Sequence, residues 1–464
     1  MQRRWQVVAV VSVAVFMASL DLFIVNIAFP DIGRDFAGTG IAGLSWVLNA
    51  YAIVFASLLV PAGRLADLVG RRRVFIGGLA LFAAGSALCG VAPSVGALVA
   101  ARVVQAAGAA MVVPTSLALL LPEFAPSERA AAIGVWAAVG GVAAAAGPPI
   151  GGVLVEVSWR LVFLVNVPVA AVAGVFALRL VRESRDEAGR GWPDLPGTVV
   201  LAASIGALAL GLVEAPDWGW AAPRTLLAFA GAGIGLAVFA VRCATHRAPV
   251  LELPMLRVRS FAAANVAAVL FSAAFAAMLL ASVLLMTTVW GDSVLRAGLS
   301  LAPGPLMAAS SAVPAGRLAN RVGQRSLAAL GCALLAAGCA WWRWRVGPEP
   351  DYSGALLPGL LVTGAGVGLT LPSLSSAAAA SLPPARFATG AAVLIMSRQI
   401  GTVLGVAILV AILGTPSVRD PFAGFESGWA FMVIAAGLAS GAALAIGRVE
   451  QRTAPATAAA PALS

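Results

Sequence analysis

The stretch SLDLFIVNIAFP, residues 19–30, places one carboxylate, Asp21, inside an apolar run that begins at Val7. At the centre of a membrane helix an aspartate costs roughly 2.5–3.5 kcal/mol, so it needs either a partner or a task. Arg102 is the partner the spacing offers. Asp21 lies about nine residues from the outer end of its run, roughly 13 Å deep at 1.5 Å per residue. Arg102 lies about five residues into the fourth run from that same side, roughly 8 Å deep, with a side chain that reaches inward. A pair meeting there has two readings. It could simply fix the register of two helices, as buried ion pairs do. Alternatively, an arginine that approaches in one state and withdraws in another would make Asp21 release and take up a proton in turn. Exchange of one proton for one substrate would follow.

Other side chains invite similar questions. Arg398, followed by Gln399, falls about eleven residues into the thirteenth run, near mid-membrane. It reads either as a packing or snorkelling residue or as a cavity charge for anionic or zwitterionic substrates. Asn26, Asn49, Tyr51, Met111, Trp136, Phe271, Phe275 and Met278 are candidate cavity residues. Aromatic and methionine side chains accept varied lipophilic ligands, although at helical spacing they also serve plain packing. The remaining acids in or near the runs, Glu156, Glu214 and Asp292, sit near outer ends, and the one histidine, His246, falls in a loop. That pattern speaks against a histidine proton relay or a metal cluster. No G-x-x-x-x-G-K-[ST] loop is present, which argues against a built-in ATPase.

The elements that would position these residues are membrane spans. Of 464 residues, 61% are hydrophobic and 11% charged, with a mean hydropathy of +0.96. Soluble domains carry about 25% charged residues. Apolar segments of spanning length occur at 6–29, 44–63, 74–93, 97–121, 130–155, 160–181, 196–214, 224–242, 261–290, 297–316, 326–345, 354–381, 387–414 and 428–447. The fold class expected is an all-α polytopic membrane protein with fourteen transmembrane helices. MQRRW and the run after it resemble a signal sequence but lack a small-residue cleavage site, so an uncleaved first span is expected.

All 30 basic residues are arginine. By this span assignment 21 of them fall at the termini and even-numbered loops, seven in odd-numbered loops, and Arg102 and Arg398 inside spans. The bias predicts cytoplasmic termini. The net charge of +10 is then orientation and anionic-lipid contact, not a nucleic-acid site. Nine tryptophans (Trp46, Trp159, Trp218, Trp220, Trp290, Trp341, Trp342, Trp344 and Trp429) fall near the opposite interface, as an aromatic belt would. The four cysteines show no C-x-x-C pattern and read as packing residues.

An internal repeat divides the chain. GRLADLVGRRR begins at Gly63 and GRLANRVGQR at Gly316; Gly43-Leu44-Ser45 is echoed by Gly298-Leu299-Ser300. The expected organisation is a six-helix half at 1–181, a linker with two inserted helices at 182–260, a second six-helix half at 261–447 and a low-complexity cytoplasmic tail at 448–464. Repeated halves around a midplane site are a common plan for secondary transporters.

On these residues the sequence resembles the major facilitator superfamily. The loop signature G-x-L-a-D-x-x-G-R-[RK] is met by Gly63, Leu65, Asp67, Gly70, Arg71 and Arg72; the second copy has Asn320 in place of the aspartate. The resemblance implies a loop that latches neighbouring helices and gates the conformational change. ARVVQAAGAA, residues 101–110, is similar to the proton-coupling motif R-x-x-Q-G-x-G through Arg102, Gln105 and Gly108, with Ala106 replacing a glycine. GPPIGG, with Gly147, Pro148, Gly151 and Gly152, is similar to the G-P-x-x-G-G bend of antiporters. WRLVFLVNVP at 159–168, Trp46 with Tyr51 and the opening L-D-x-x-I-V-N-x-A-x-P resemble the fourteen-helix drug:proton antiporters.

What this resemblance implies is a multi-pass transporter of a bacterial cytoplasmic membrane. It would export small lipophilic compounds such as drugs or antibiotics, with the proton gradient as energy source and no cofactor. Its partners would be substrate, protons and membrane lipids. A dication is the less expected cargo, because family members that export dications use extra intramembrane acids. A dedicated exporter of one metabolite is the alternative; a sensor or a membrane-embedded enzyme has no motif in its favour.

Overall fold

In hydrocarbon a backbone polar group can bond only within its own segment, so each apolar run folds as a helix. The computed structural model describes residues 3–124, 129–185, 191–382, 386–414 and 422–447. Its helices in the first part of the chain are α1 (Arg3–Asp35), α2 (Ile41–Val69), α3 (Arg71–Gly90), α4 (Val95–Leu120), α5 (Arg129–Val157), α6 (Leu161–Leu164) and α7 (Asn166–Leu180). Next come α8 (Leu195–Trp218), α9 (Pro223–Thr245) and the short α10 (Leu253–Leu256). The last seven are α11 (Arg259–Leu284), α12 (Val294–Leu301), α13 (Pro303–Val322), α14 (Gln324–Arg345), α15 (Leu357–Ala380), α16 (Phe387–Leu413) and α17 (Ala423–Leu444).

Among the described residues, twelve helices are long and apolar enough to cross a membrane. They answer to twelve of the expected spans. The run at 130–155 corresponds to α5, of which Val142–Val157 is a shorter apolar helix; the run at 297–316 corresponds to α12 with α13. The sixth run, Leu161–Leu180, is interrupted at one residue. Pro168 has no N–H to offer the carbonyl four residues back, and the chain divides into α6 and α7 at Val165. The tail at 448–464 lies outside the described residues, as do the side chains of Arg317, Asn320 and Arg321 in the second loop copy.

Each repeat packs its helices in a matching way, α3 on α4 and α14 on α15. The inserted pair is peripheral: α8 packs against α2 and α16, while α9 packs on α8 with most of its surface turned outward. Asp194 starts α8, accepting from Gly197 N–H at 2.9 Å and from Arg242 of α9 at 2.5 Å. Burial pushes the Asp194 carboxyl up, but the Arg242 hydrogen bond and charge and the Gly197 N–H outweigh it and hold it below the usual carboxylate range.

The aromatic belt is partly an internal framework. Trp159, Trp290, Trp342 and Trp429 are buried. Trp342 donates to Leu356 O, Trp341 to Ala355 O and Trp290 to Gly347 O. Trp220 and Trp344 remain exposed. An indole N–H at a helix end bonds a free carbonyl as readily as it anchors in lipid. All four cysteines are buried and unpaired with one another.

Candidate functional site

Five helices, α1, α2, α3, α4 and α7, bring one polar cluster together inside the first half. Asp21 of α1 is 0% exposed and Arg102 of α4 1%. Arg102 Nη1 donates to Asp21 Oδ2 at 2.5 Å and to Gln105 Oε1 at 2.6 Å. Arg102 Nε donates to Val47 O of α2 at 3.1 Å. Gln105 Nε2 donates to Asp21 Oδ1 and to Ser86 Oγ of α3, both at 2.8 Å. Asn166, at the start of α7, donates more loosely to Asp21 Oδ1 at 3.4 Å. The guanidinium carbon lies 4.0 Å from the centre of the Tyr51 ring and 5.6 Å from that of Phe163. No buried side-chain polar atom of Asp21, Arg102, Gln105, Ser86 or Asn166 lacks a partner.

Local sequence explains the convergence. Arg102 and Gln105 are three apart and share one face of α4. A Cβ at Gly85 would lie 2.5 Å from Gln105 N, so only glycine lets α3 approach closely enough for Ser86 to reach Gln105. Gln105 stood in the quoted motif, but its place as the bridge did not. Ser86 and Asn166 were missed as partners. Each is a lone polar residue on an apolar face, and that was the available signal.

The other candidates divide. Among the described residues, Asn49 is buried with both amide atoms unpartnered, and the Tyr51 hydroxyl is buried without a partner too. Phe271 and Phe275 stack at 6.1 Å, and Phe275 meets Phe23 of α1 edge-on at 6.4 Å. Met278 is buried in the main apolar core. Asn26 donates to Leu22 O of its own helix at 2.9 Å. Trp136 ties α5 to α4 by donating to Ser116 Oγ at 2.9 Å. Met111 lies where Cβ atoms at Gly77 and Gly78 would touch it, a packing position between α3 and α4. Arg398 lies apart from the cluster, in α16.

The GPPIGG segment of α5 lies between the halves. A Cβ at Gly147 would lie 2.7 Å from Phe23 Cβ and one at Gly151 2.9 Å from Ile24 Cγ1, both on α1. Toward α12, a Cβ at Gly152 would lie 3.1 Å from Leu295 Cα. Gly298 of α12 admits no side chain, because its Cβ would overlap Pro148 O. With Phe23 against Phe275, these contacts join α1 and α5 of the first half to α11 and α12 of the second.

In the GRLADLVGRRR loop, Arg71 Nε donates to Asp67 at 2.9 Å. Gly70 turns at φ +127°, a conformation that favours glycine. Glu183 caps the start of α3, accepting from Arg72 N at 3.0 Å and Arg73 N at 3.3 Å. The Arg72 side chain donates to Leu178 O of α7. Gly63 has room for a side chain, its Cβ position lying 3.6 Å from Pro114 Cβ. Glu252, just before α10, lies 3.6 Å from Arg64 of α2 and 3.8 Å from Arg386 at the start of α16, so it bridges the halves. Glu183 and Glu252 were not singled out from the sequence.

Two packed, similarly arranged sets of apolar helices with an ion pair sealed among them define a secondary-transporter architecture. Residues 11–406 match the model of the Major Facilitator Superfamily, and the chain belongs to that family. It is a transporter, not an enzyme, and is related to bacterial drug and antibiotic resistance exporters. It is 35% identical over 400 residues to the multidrug resistance protein Stp of Mycobacterium tuberculosis, covering 86% of this chain and 74% of that one. It is 34% identical to the tetracenomycin C resistance and export protein of Streptomyces glaucescens, covering 90% and 78%. It is 31% identical to the methylenomycin A resistance protein of Bacillus subtilis, covering 90% of each. Among solved structures, a bacterial homologue of the lysosomal transporter Spinster, inward-facing and occupied, superposes with a TM-score of 0.70 at 15% identity. That likeness covers 98% of this chain and all of the other and concerns the fold.

Proposed function

We propose that the protein is a proton-coupled antiporter that exports small lipophilic compounds, drugs or antibiotics among them, by alternating access. In this reading it has fourteen spans, α5 and α12 with α13 completing the set, and both termini are cytoplasmic. Residues 1–181 and 261–447 are the two moving halves, and 182–260 is the inserted pair.

The observation that carries the reading is Asp21. Among the described residues the only buried carboxylates are Asp21 and Asp194, and Asp194 sits at the start of a peripheral helix. Asp21 alone is placed where a proton could report on helix packing. While Asp21 is ionised, Arg102 ties α1 to α4 and α2. A proton on Asp21 removes that bond but leaves Arg102 with Val47 O, Gln105 Oε1 and the Tyr51 ring. The guanidinium therefore has partners in both states, which lowers the cost of switching. α1 also carries Phe23 and Ile24, against which Gly147 and Gly151 of α5 close, so loosening α1 acts directly on the seam between the halves. Asp21 is fully sealed in this state, so substrate and proton compete through the conformation and not by contact at the carboxylate.

The relatives' names support export of organic compounds. One of them, the cephamycin export protein of Amycolatopsis lactamdurans, at 33% identity, favours a second reading in which a single metabolite is the cargo. The test is substrate-driven proton movement in energised inverted vesicles carrying either wild type or Asp21→Asn, followed with a pH-sensitive dye. Release of protons on adding a lipophilic compound, absent in the variant, is the expected result. Equal responses in both proteins would sink the assignment of Asp21.

A further inference from the structure

Arg398 lies where neither end of α16 can help it. It is about eleven residues, roughly 16 Å, from the start of the helix and about fifteen residues, roughly 22 Å, from its end, too far for the side chain to snorkel. Among the described residues its side chain has neither an ion pair nor a hydrogen-bond acceptor, and Nε is buried without a partner. A packing role would leave a charged fork of donors unmet inside the bundle, where an apolar residue would serve better.

The surroundings show what the fork faces. Gly401 and Gly405 press on Val269 and Ala273 of α11, while Ala392 and Ile395 pack toward the apolar cluster that contains Tyr51 and Phe55 of α2. At 100° per residue Arg398 lies between these two directions. It shares partial exposure with Ala391, Ala392, Ile395 and Thr402, whereas Gly405, Val406 and Leu409 further along are buried. Partial exposure at helical spacing on an inward face marks a seam between the halves that stops just past Thr402. Asp21 offers no competing charge there, since it is sealed and its oxygens are already taken.

We infer that Arg398 is the counter-charge for an anionic group of the exported compound, a carboxylate or an ionised enol or phenol. The compound's apolar body would lie along the aliphatic lining at Ala391, Ala392 and Ile395. A planar guanidinium with free donors binds such groups through two parallel hydrogen bonds. The inference rests on the export reading and gives it a substrate class: lipophilic acids, ahead of lipophilic cations. It also makes the exchange electrogenic. One proton inward and one anion outward move two charges in the same sense, so a membrane potential negative inside drives both.

The test uses the purified full-length protein and three probes with one apolar body: 1-pyrenebutyrate, its methyl ester and 4-(1-pyrenyl)butylamine. Binding is read by energy transfer from tryptophan. Wild type should bind the acid about tenfold tighter than the ester, with the amine weakest, as expected for one charge-assisted contact. Arg398→Gln should bring the acid down to the affinity of the ester, and Arg398→Lys, which keeps a charge but no fork, should fall between. Equal binding of acid and ester by wild type, or a preference that survives Arg398→Gln, overturns the inference and leaves the export reading standing. If none of the three binds, binding along the α16 seam is refuted and the inference falls with it.

Discussion

Two guanidinium groups sit inside the bundle, Arg102 on α4 and Arg398 on α16, and they keep different company. Arg102 is 1% exposed and meets a carboxylate, an amide oxygen, a backbone carbonyl and two aromatic rings. Arg398 is partly exposed and, among the described residues, meets none of these. The first half has completed its charge internally, so the charge can change only by taking up a proton. The second has left its charge incomplete, so a molecule from outside can complete it. In the proposed mechanism, energy coupling and cargo recognition fall to different halves, and the α5–α12 joint connects them.

The largest effect expected on this contrast comes from removing Arg102. Arg102→Ala leaves Asp21 buried without its cation, which costs ~3–5 kcal/mol and should show as a steep fall in thermal unfolding midpoint in detergent. The double variant Asp21→Asn, Arg102→Gln replaces the pair with neutral groups that can still hydrogen-bond. It should recover much of that stability while substrate-driven proton release stays absent. Restored proton release in the double variant would mean that the pair is structural and that the two arginines differ less than proposed.

The joint between the halves can be broken next. Gly298→Val puts a side chain into Pro148 O, so the closed arrangement of α5 on α12 is no longer available. Transport should fail although the polar cluster is untouched. A cysteine at Phe275, in a background without the native cysteines, should react about tenfold faster with an impermeant maleimide, as a shift of one such factor in the open population requires. Unchanged labelling would show that α5 and α12 do not hold this side shut.

A third pair serves as a control. Asp194 and Arg242 are as close as Asp21 and Arg102 but lie at the rim, on the inserted helices. Asp194→Ala removes a helix cap and an ion pair and should cost ~1–2 kcal/mol of stability with transport per folded molecule unchanged. The pH dependence has a definite sign. Because its carboxyl is held below the usual range, the contribution is full above the unfolded-state pKa of about 3.9 and fades as pH falls through the lower folded value. The stability gap between wild type and variant should therefore stay constant from pH 8 to 5 and close only in strong acid. A gap that changes near neutrality would point to a different titrating group.

Much of this architecture was written in the apolar spacing. A run of spanning length has one solution in a bilayer, so helices and their order follow from hydropathy, and the GRLA motif stands twice in the chain, at Gly63 and Gly316. Asp21 and Arg102 stood out because a charge in such a run is expensive wherever it lies. Their partners did not stand out. Ser86 and Asn166 are cheap enough in a helix to raise no alarm, and Gln105 can bridge only because Gly85 lets two backbones close. The indoles turned inward at Trp159 and Trp342 and the bridging carboxylates Glu183 and Glu252 depend likewise on residues far away in the chain.

The sequence by itself determined that this chain crosses a membrane many times, in two similar parts, with charges inside it that must be explained. Solvation decides that much, one segment at a time. Only the tertiary structure decided that Arg102 is satisfied and Arg398 is not, since satisfaction is a property of the atoms another helix brings within 3 Å. A guanidinium reads the same in either run; its neighbours separate the one that holds its pair from the one that, among the described residues, has none.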